Sequence, residues 1–255
     1  MRPEAKRVQA PRGWHVSFGR GMAPEHRAEV LRVLGEGLVE SNRILVAHSR
    51  VKRFYRVKTG GTSLFVKVRE FVSLSRRLGR ALRATKEERE LANYELLRSL
   101  GVPCPQPMAS ARLRKGLLTQ ASALLTEFLD GARPLRELLL RGEGHKLVEP
   151  LLSFLGMLRG VGVVHQDLQW ENLLVGSPQE GYPLYLVDPL HVRSMAGPDD
   201  PGFSRSLAWF LGFMIHGGAP QETLQALAEG MARQGLCAPL SGSELLRRAR
   251  ELRQP

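Results

Sequence analysis

The chain has 255 residues, of which 43% are hydrophobic and 24% charged, values that are ordinary for a folded protein of one large domain or two lobes. Its 37 Lys and Arg residues against 25 Asp and Glu give a net charge of +12. Residues 1–120 hold 25 of the basic residues but only 10 of the acidic ones. This asymmetry favours an anionic partner for the first half, although solvated arginine-rich helix faces would give the same count.

The two cysteines, Cys104 and Cys237, have no His or Cys near them at metal-binding spacing, which excludes a disulfide framework and a zinc site. The first residues, MRPEAKRVQAPRGW, lack the apolar core of a secretory signal. The longest apolar run, residues 207–215, is too short to cross a bilayer. We therefore expect a cytoplasmic protein, and we leave open a peripheral contact with the inner face of the cytoplasmic membrane.

In chain order, residues 1–40 mix Pro, Gly and Arg and predict an N-terminal extension. Three β-like runs follow, RILVAHS, FYRVKTG and SLFVKVREF, of which the last two are joined as a hairpin by the turn KTGGTS. The leucine spacing in residues 75–100 predicts one helix that Gly101 ends. VPCPQP is then an extended exit, and ALLTEFLDG predicts a buried strand.

In the second half, residues 134–140 and 147–158 predict helices. Two short strand-like runs then surround the turn GSPQEGYP, and the remainder from Ser204 is helical with breaks at GGAP and APLSG. This order predicts an α+β fold with a β-rich N-lobe carrying one helix, residues 41–126. A mainly helical C-lobe follows, residues 127–255.

The stretch VVHQDLQWENLLV contains Asp167 and Asn172, and the apolar run LYLVDP ends on Asp188. Carboxylates at the ends of buried strands require something that compensates their charge. Phosphoryl transfer uses one carboxylate to accept a hydroxyl proton and further oxygen ligands to hold Mg²⁺ on the phosphates. Asp167 suits the first task, and Asn172 and Asp188 suit the second. A turn cap would explain Asp167 and Asn172 but leaves Asp188 unexplained.

Lys67 stands in the apolar run SLFVKV, where a buried amine needs an anion; a lysine that snorkels from an edge strand is the alternative. Glu90 on the following helix is the expected partner, and Glu87, one turn earlier, is the alternative. We expect His165 to brace its loop by hydrogen bonding rather than to carry a proton. Trp170 either stacks on a sugar ring or packs internally.

These stretches resemble the protein kinase-like superfamily. HQDLQWENLLV resembles the catalytic loop H-R-D-L-x-x-x-N, LFVK resembles the strand motif V-A-I-K, and LVDP resembles the segment with the metal-binding aspartate. ALLTEFLDG resembles the hinge strand that receives adenine, which implies nucleotide contacts at Glu127 and Leu129. The resemblance implies a two-lobed protein kinase-like fold with ATP and Mg²⁺ as cofactors.

Within this superfamily, the chain closely resembles the lipopolysaccharide kinases of the Kdo/WaaP type over residues 44–210. They share a basic front lobe, a helix matched here by ELANYELLRSLGVPCP, and an aspartate followed by aliphatic residues, as in DPLHVR. The resemblance implies phosphorylation of a heptose or Kdo hydroxyl of the lipopolysaccharide inner core. The expected partner is therefore an anionic glycolipid or sugar and not a nucleic acid.

Two departures keep other functions open. No G-x-G-x-x-G lies between the first two β-like runs, where Arg50, Lys52 and Arg53 would have to cover the phosphates by charge. Pro189 stands where protein kinases carry Phe-Gly, and no A-P-E follows. The alternatives are a small-molecule or Ser/Thr/Tyr protein kinase of the same fold, or an inactive kinase-like scaffold.

A group of arginines near the predicted cleft favours binding of an anionic substrate or lipid headgroup over a merely solvated helix face. These arginines are Arg76, Arg77, Arg80 and Arg83.

Overall fold

The structure, a computed structural model, describes residues 7–10, 13–35, 43–48, 51–59, 63–197 and 199–252. The chain divides into two compact units. Unit 1 comprises residues 1–99 and 105–130, and unit 2 comprises residues 100–104 and 131–255. The α+β class with a β-rich first part and a helical second part is confirmed. The lobe boundary after residue 126 stays a prediction.

Unit 1 is built on an antiparallel sheet of seven strands in the described residues. These are β1 (Arg7–Ala10), β2 (Trp14–Phe18), β3 (Arg43–His48), β4 (Lys52–Lys58), β5 (Ser63–Glu70), β6 (Pro107–Lys115) and β7 (Leu118–Glu127). Their order across the sheet is β1-β2-β6-β7-β5-β4-β3. The helices of this unit are α1 (Pro24–Gly35), α2 (Leu74–Leu82) and α3 (Lys86–Ser99).

Residues 7–10 and 13–35 are integrated into unit 1, although the sequence predicts an N-terminal extension over residues 1–40. β2 pairs along its length with β6, and its residues Trp14 and Val16 are buried in the core of unit 1. Val30 and Leu34 of α1 are buried in the same core. The alternation of apolar and polar residues in WHVSF was the sequence signal for this strand, because alternate side chains of a strand share one face.

The three β-like runs form β3, β4 and β5, and β4 pairs antiparallel with β5 as predicted. Residues 60–62 of the turn between them lie outside the described residues. Strand β6 was missed because PMASARLRK combines small side chains with arginines. Both of its faces are nevertheless covered: Ala109 and Ala111 are buried on one side, and Ser110 and Arg112 on the other.

The single helix predicted over residues 75–100 is two helices, α2 and α3. Arg83 is extended and ends α2. Thr85 then begins α3 with a capping box: its hydroxyl oxygen accepts from the backbone N–H of Glu88 at 3.1 Å, and the Glu88 carboxylate accepts from the backbone N–H of Thr85 at 3.0 Å. The T-x-x-E pattern is the sequence signature of this start.

Unit 2 is mainly helical, as predicted, and its short strands lie between helices. Its elements are β8 (Arg133–Pro134), α4 (Leu135–Leu140), α5 (Gly144–Gly160), β9 (Val163–His165), β10 (Leu173–Val175), β11 (Leu184–Leu186), β12 (Val192–Ser194), α6 (Pro201–His216), α7 (Gln221–Arg233) and α8 (Gly242–Glu251). Its core includes Leu151 and Leu155 of α5 and Phe210 and Leu211 of α6. In the described part of the chain, no helix combines the length and apolarity needed to span a membrane.

Candidate active site

Lys67 and Glu90 form a buried ion pair in unit 1. Lys67 lies on β5, between β4 and β7, and is 3% exposed, while Glu90 on α3 is 1% exposed. The Lys67 Nζ atom donates to both carboxylate oxygens of Glu90, at 2.9 and 2.8 Å. A central strand and near-complete burial exclude a snorkelling lysine, and the geometry assigns the pairing to Glu90 rather than Glu87.

Two further ion pairs tie the start of α3 to the sheet. Glu87 accepts a hydrogen bond from Arg69 of β5 at 2.8 Å and another from Ser122 of β7 at 2.5 Å. Burial raises the pKa of Glu87, but the hydrogen bonds from Ser122 and Arg69 outweigh it and hold the pKa below its usual value. Arg112 of β6 pairs with Glu88. Since these acids lie within two turns of one helix, they fix the position from which Glu90 reaches Lys67.

Glu127 and Leu129, the predicted adenine contacts, lie at the end of β7 and just after it. The backbone N–H of Glu127 donates to the Gln106 carbonyl oxygen at 2.9 Å, and its carboxylate accepts from the Gln106 N–H at 3.3 Å. Glu127 is therefore held by both its backbone and its side chain, and Leu129 is half-buried in the loop that follows. Their contact with adenine stays a prediction.

In unit 2, hydrogen bonds connect Asp167, Asn172 and the segment that ends on Asp188. β9 pairs with β12, and β10 pairs with β11. The Asn172 side-chain nitrogen donates to the Asp167 carbonyl oxygen at 3.1 Å, and the Val187 N–H donates to the Asn172 carbonyl oxygen at 2.9 Å. Asp167 and Asn172 are thus joined directly, and Asp188 follows the residue whose backbone is bonded to Asn172.

His165 is buried next to these residues and braces them through hydrogen bonds. Its Nε2 atom lies 3.2 Å from the carbonyl oxygen of Asp188, and its own carbonyl oxygen accepts from the Ser206 hydroxyl at 2.6 Å. Burial lowers the pKa of His165 below its usual value, which favours the neutral ring. This geometry agrees with the bracing role expected of His165.

Asp167 has an orienting partner that the sequence reasoning missed. The Gln169 side-chain nitrogen donates to one carboxylate oxygen of Asp167 at 2.7 Å. A donor on one oxygen fixes the rotation of the carboxylate and leaves the second oxygen as the one suited to accept a proton. The sequence signal for this contact was a glutamine two residues after the aspartate.

The oxygens of Asn172 and Asp188 fit a magnesium ion by their chemistry. Because the amide nitrogen of Asn172 is used by the Asp167 carbonyl, its side-chain oxygen is the atom suited to a cation. Asp188 has φ 52° and ψ 57°, a left-handed conformation that costs energy for a residue with a side chain and is enriched at functional sites. Mg²⁺ takes one or two protein oxygens together with substrate phosphates and water, so these two ligands suffice.

No group of three or more His, Cys, Asp or Glu side chains able to hold a metal occurs among the described residues. A site that binds a cation mainly through substrate phosphates is compatible with this finding.

Trp170 packs internally, which decides between the two roles left open for it. It is 1% exposed, and its ring lies against Gly217 at the end of α6. The Arg136 guanidinium lies 5.6 Å from the centre of the same ring. A ring so enclosed is not available to stack on a sugar.

The segment predicted to cover the phosphates is only partly described. Arg50 lies outside the described residues, whereas Arg53 is exposed and lies 3.3 Å from Glu70. Lys52 is half-buried at the start of β4. Pro189, which replaces the Phe-Gly of protein kinases, is buried and begins a short 3₁₀ turn directly after Asp188.

The sequence profile of the lipopolysaccharide kinase (Kdo/WaaP) family matches residues 31–192. The chain belongs to this family. Among curated proteins, a 3-deoxy-D-manno-octulosonic acid kinase of Vibrio vulnificus strain YJ016 is 32% identical over 113 residues. That match covers 43% of this chain and 45% of the relative. The corresponding kinase of strain CMCP6 is 32% identical over 109 residues, which cover 41% of this chain and 43% of the relative.

Two solved structures share the fold. WaaP, in a structure of its complex with acyl carrier protein, has a TM-score of 0.60 and 16% identity, with 94% of this chain and 99% of that chain covered. The bifunctional kinase-methyltransferase WbdD has a TM-score of 0.51 and 19% identity, with 84% of this chain and 49% of that chain covered. At these identities the likeness concerns the fold alone.

The buried pair predicts an asymmetry between single and double substitutions. We expect Lys67→Met to lower the free energy of unfolding by about 3–5 kcal/mol, because it leaves the Glu90 carboxylate buried beside a thioether. Lys67→Met combined with Glu90→Met should recover most of this loss, since two apolar side chains of similar volume replace both charges. Urea unfolding at pH 7 measures both.

Arg53→Gln is the matched control, because it breaks the exposed pair with Glu70 on the neighbouring strand. It should change the free energy of unfolding by less than about 1 kcal/mol. A double variant as unstable as Lys67→Met alone would contradict the explanation that the loss comes from an unpaired buried carboxylate.

The contact between Trp170 and Gly217 predicts a steric effect on the loop. Gly217→Ala places a methyl group where the Trp170 ring lies. We expect a loss of about 1–3 kcal/mol in the free energy of unfolding from overpacking. Gly160→Ala, at an exposed helical position with open space around it, should be neutral. Thermal unfolding of both variants tests this, and equal melting temperatures would contradict the packing described for Trp170.

Proposed function

We propose that this chain is an ATP- and Mg²⁺-dependent kinase that phosphorylates a Kdo hydroxyl of the lipopolysaccharide inner core. The observation that carries the proposal is the hydrogen bond from Asn172 to the Asp167 carbonyl oxygen and the bond from Val187, next to Asp188, to Asn172, in a chain of the lipopolysaccharide kinase (Kdo/WaaP) family. Asp167 provides a carboxylate with one oxygen already oriented, and Asn172 and Asp188 offer further side-chain oxygens for a metal. These are the parts that phosphoryl transfer to a hydroxyl requires.

In the proposed reaction, Asp167 accepts the proton of the sugar hydroxyl as that oxygen bonds to the terminal phosphorus of ATP, and the bond from that phosphorus to the leaving ADP oxygen breaks. Gln169 keeps the carboxylate in one orientation, and a positioned base of this kind contributes about 10²- to 10⁴-fold in rate. Asn172 and Asp188 would hold the metal, which would neutralise charge on the phosphate oxygens. His165, neutral and buried, keeps the Asp188 backbone in place.

The residues of unit 1 are proposed to bind the nucleotide. Lys67 contacts phosphate oxygens, and Glu90 holds its amine in one direction. The backbone at Glu127 and Leu129 receives the adenine. The burial of Lys67 supports this assignment. An amine that is almost fully buried and bonded to Glu90 has a fixed position and makes little contact with solvent.

Kdo is favoured over heptose as the acceptor because the curated relatives are Kdo kinases. Each of those matches spans less than half of the relative, so the acceptor is tested below with both sugars. A regulated protein kinase is disfavoured by Pro189 and by the lack of an A-P-E segment. An inactive scaffold is disfavoured because every polar side chain expected for transfer is present.

The role of Asp167 is tested by phosphate transfer from ATP. The acceptors are lipid A that carries one Kdo residue, a dephosphorylated heptose-containing inner core, and a generic protein substrate. We expect wild-type transfer to the Kdo lipid. We expect Asp167→Asn to lower kcat by at least about 10²-fold while nucleotide affinity stays within about twofold, because the amide keeps the shape but accepts no proton.

Glu171→Gln is the matched control, since it removes an exposed carboxylate from the same loop. It should retain activity. Transfer to the heptose acceptor alone would replace Kdo with heptose in the proposal. Transfer to neither sugar by a protein that binds ATP would contradict the proposed substrate class, and transfer by Asp167→Asn at the wild-type rate would contradict the proposed base.

A further inference from the structure

Helix α2 has the opposite arrangement from an ordinary surface helix. Leu74 and Leu78, four residues apart and therefore on one face, are 66% and 54% exposed, and Val72 just before the helix is 73% exposed. Arg77 and Arg80 are half-buried instead. A surface helix normally buries its apolar stripe and exposes its charges. An outward apolar stripe of this kind marks an interaction surface.

The inward side of α2 is fixed by specific contacts. Arg77 donates through Nε to the Phe71 carbonyl oxygen at 2.6 Å. Arg112 of β6 donates to the Arg80 carbonyl oxygen at 3.0 Å, and α2 packs against β7. These contacts fix the orientation of α2. The exposure of Leu74 and Leu78 therefore results from that orientation and not from fraying of the helix.

The hairpin that holds α2 carries another exposed apolar side chain. Arg114 of β6 reaches the Ala81 carbonyl oxygen of α2 at 3.4 Å, and Leu117, three residues further along in the turn, is 85% exposed. Lys115, the last residue of β6, is also exposed. Exposed apolar and basic side chains thus occur together both on α2 and at the tip of the β6–β7 hairpin.

The charge around this helix has one sign. Residues 72–86 contain five Lys and Arg and no Asp or Glu. Of these, Arg76 and Arg83 are exposed. A segment with exposed leucines among arginines has the composition of helices that lie in the headgroup region of an anionic bilayer.

We propose that α2 and the preceding Val72 dock this protein onto an anionic lipid surface. The leucines enter the boundary between headgroups and acyl chains, and Arg76 and Arg83 pair with lipid phosphates. A second copy of the chain does not fit, because two copies of the same basic segment would repel each other. The inference deepens the proposed function, since a lipid-linked acceptor lies at such a surface, but its test involves no phosphate transfer.

The test is sedimentation of the full chain with vesicles, without ATP or acceptor. Vesicles of phosphatidylcholine alone are compared with vesicles in which about one-third of the lipid is phosphatidylglycerol. We expect binding to the anionic vesicles that weakens as salt is raised. Leu74→Ser with Leu78→Ser should weaken it by about tenfold or more. Arg76→Gln with Arg83→Gln should weaken it by about 25-fold, from about fivefold for each arginine at the surface.

Matched controls distinguish binding through this face from nonspecific adsorption to vesicles. Leu140→Ser removes a 51% exposed leucine from α4. Arg89→Gln with Arg98→Gln removes the same charge from exposed positions on α3. Both should bind within about twofold of wild type. Wild-type protein that ignores anionic vesicles, or controls that lose as much binding as the α2 variants, would overturn the proposal. Capture of an acidic soluble protein by this face, without vesicle binding, would overturn it in favour of a protein partner.

Discussion

The free-energy cost of burying charge governs both parts of this molecule. A lysine and a glutamate removed from water are costly unless each meets the other with good geometry, and Lys67 and Glu90 do so inside unit 1. The pair forms only if α3 lies in the correct position on the sheet. The Arg69–Glu87 and Arg112–Glu88 ion pairs and the capping box at Thr85 hold the helix there. A chain that needed only stability would be served as well by apolar residues here. The nucleotide contact proposed for Lys67 gives a reason for retaining the charges.

Unit 2 meets the same constraint in a different way. Its carboxylates stand half-buried at the ends of short strands, and backbone and side-chain hydrogen bonds hold the surrounding loop rigid. Asp188 remains in a left-handed conformation because the bonds around it, including that from His165, determine its position. The buried Trp170 ring packs against Gly217 and so anchors the loop. Rigidly held side-chain oxygens suit the role proposed for Asn172 and Asp188, which is to bind an ion that arrives with phosphates.

The sequence predicted the parts of the structure in which one pattern dominates. The run that carries Lys67, the β10–β11 hairpin and the C-terminal helices follow directly from hydrophobic periodicity. It did not predict β6, because a strand covered on both faces by small side chains and paired arginines has no clear alternation. The choice of Glu90 over Glu87 depended on the rotation of α3, which tertiary contacts determine. The outward leucines of α2 could not be foreseen, since periodicity gives a stripe but not the side it faces.

Calorimetric titration with a non-hydrolysable ATP analogue decides whether Asp188 and Asn172 bind Mg²⁺ on nucleotide phosphates, as proposed. Wild-type protein and Asp188→Asn are each titrated with and without Mg²⁺; the asparagine keeps the left-handed backbone accessible while it removes the charge. We expect Mg²⁺ to raise wild-type affinity by about tenfold or more and Asp188→Asn to lose this gain. An equal magnesium dependence in both proteins would contradict the proposed metal site.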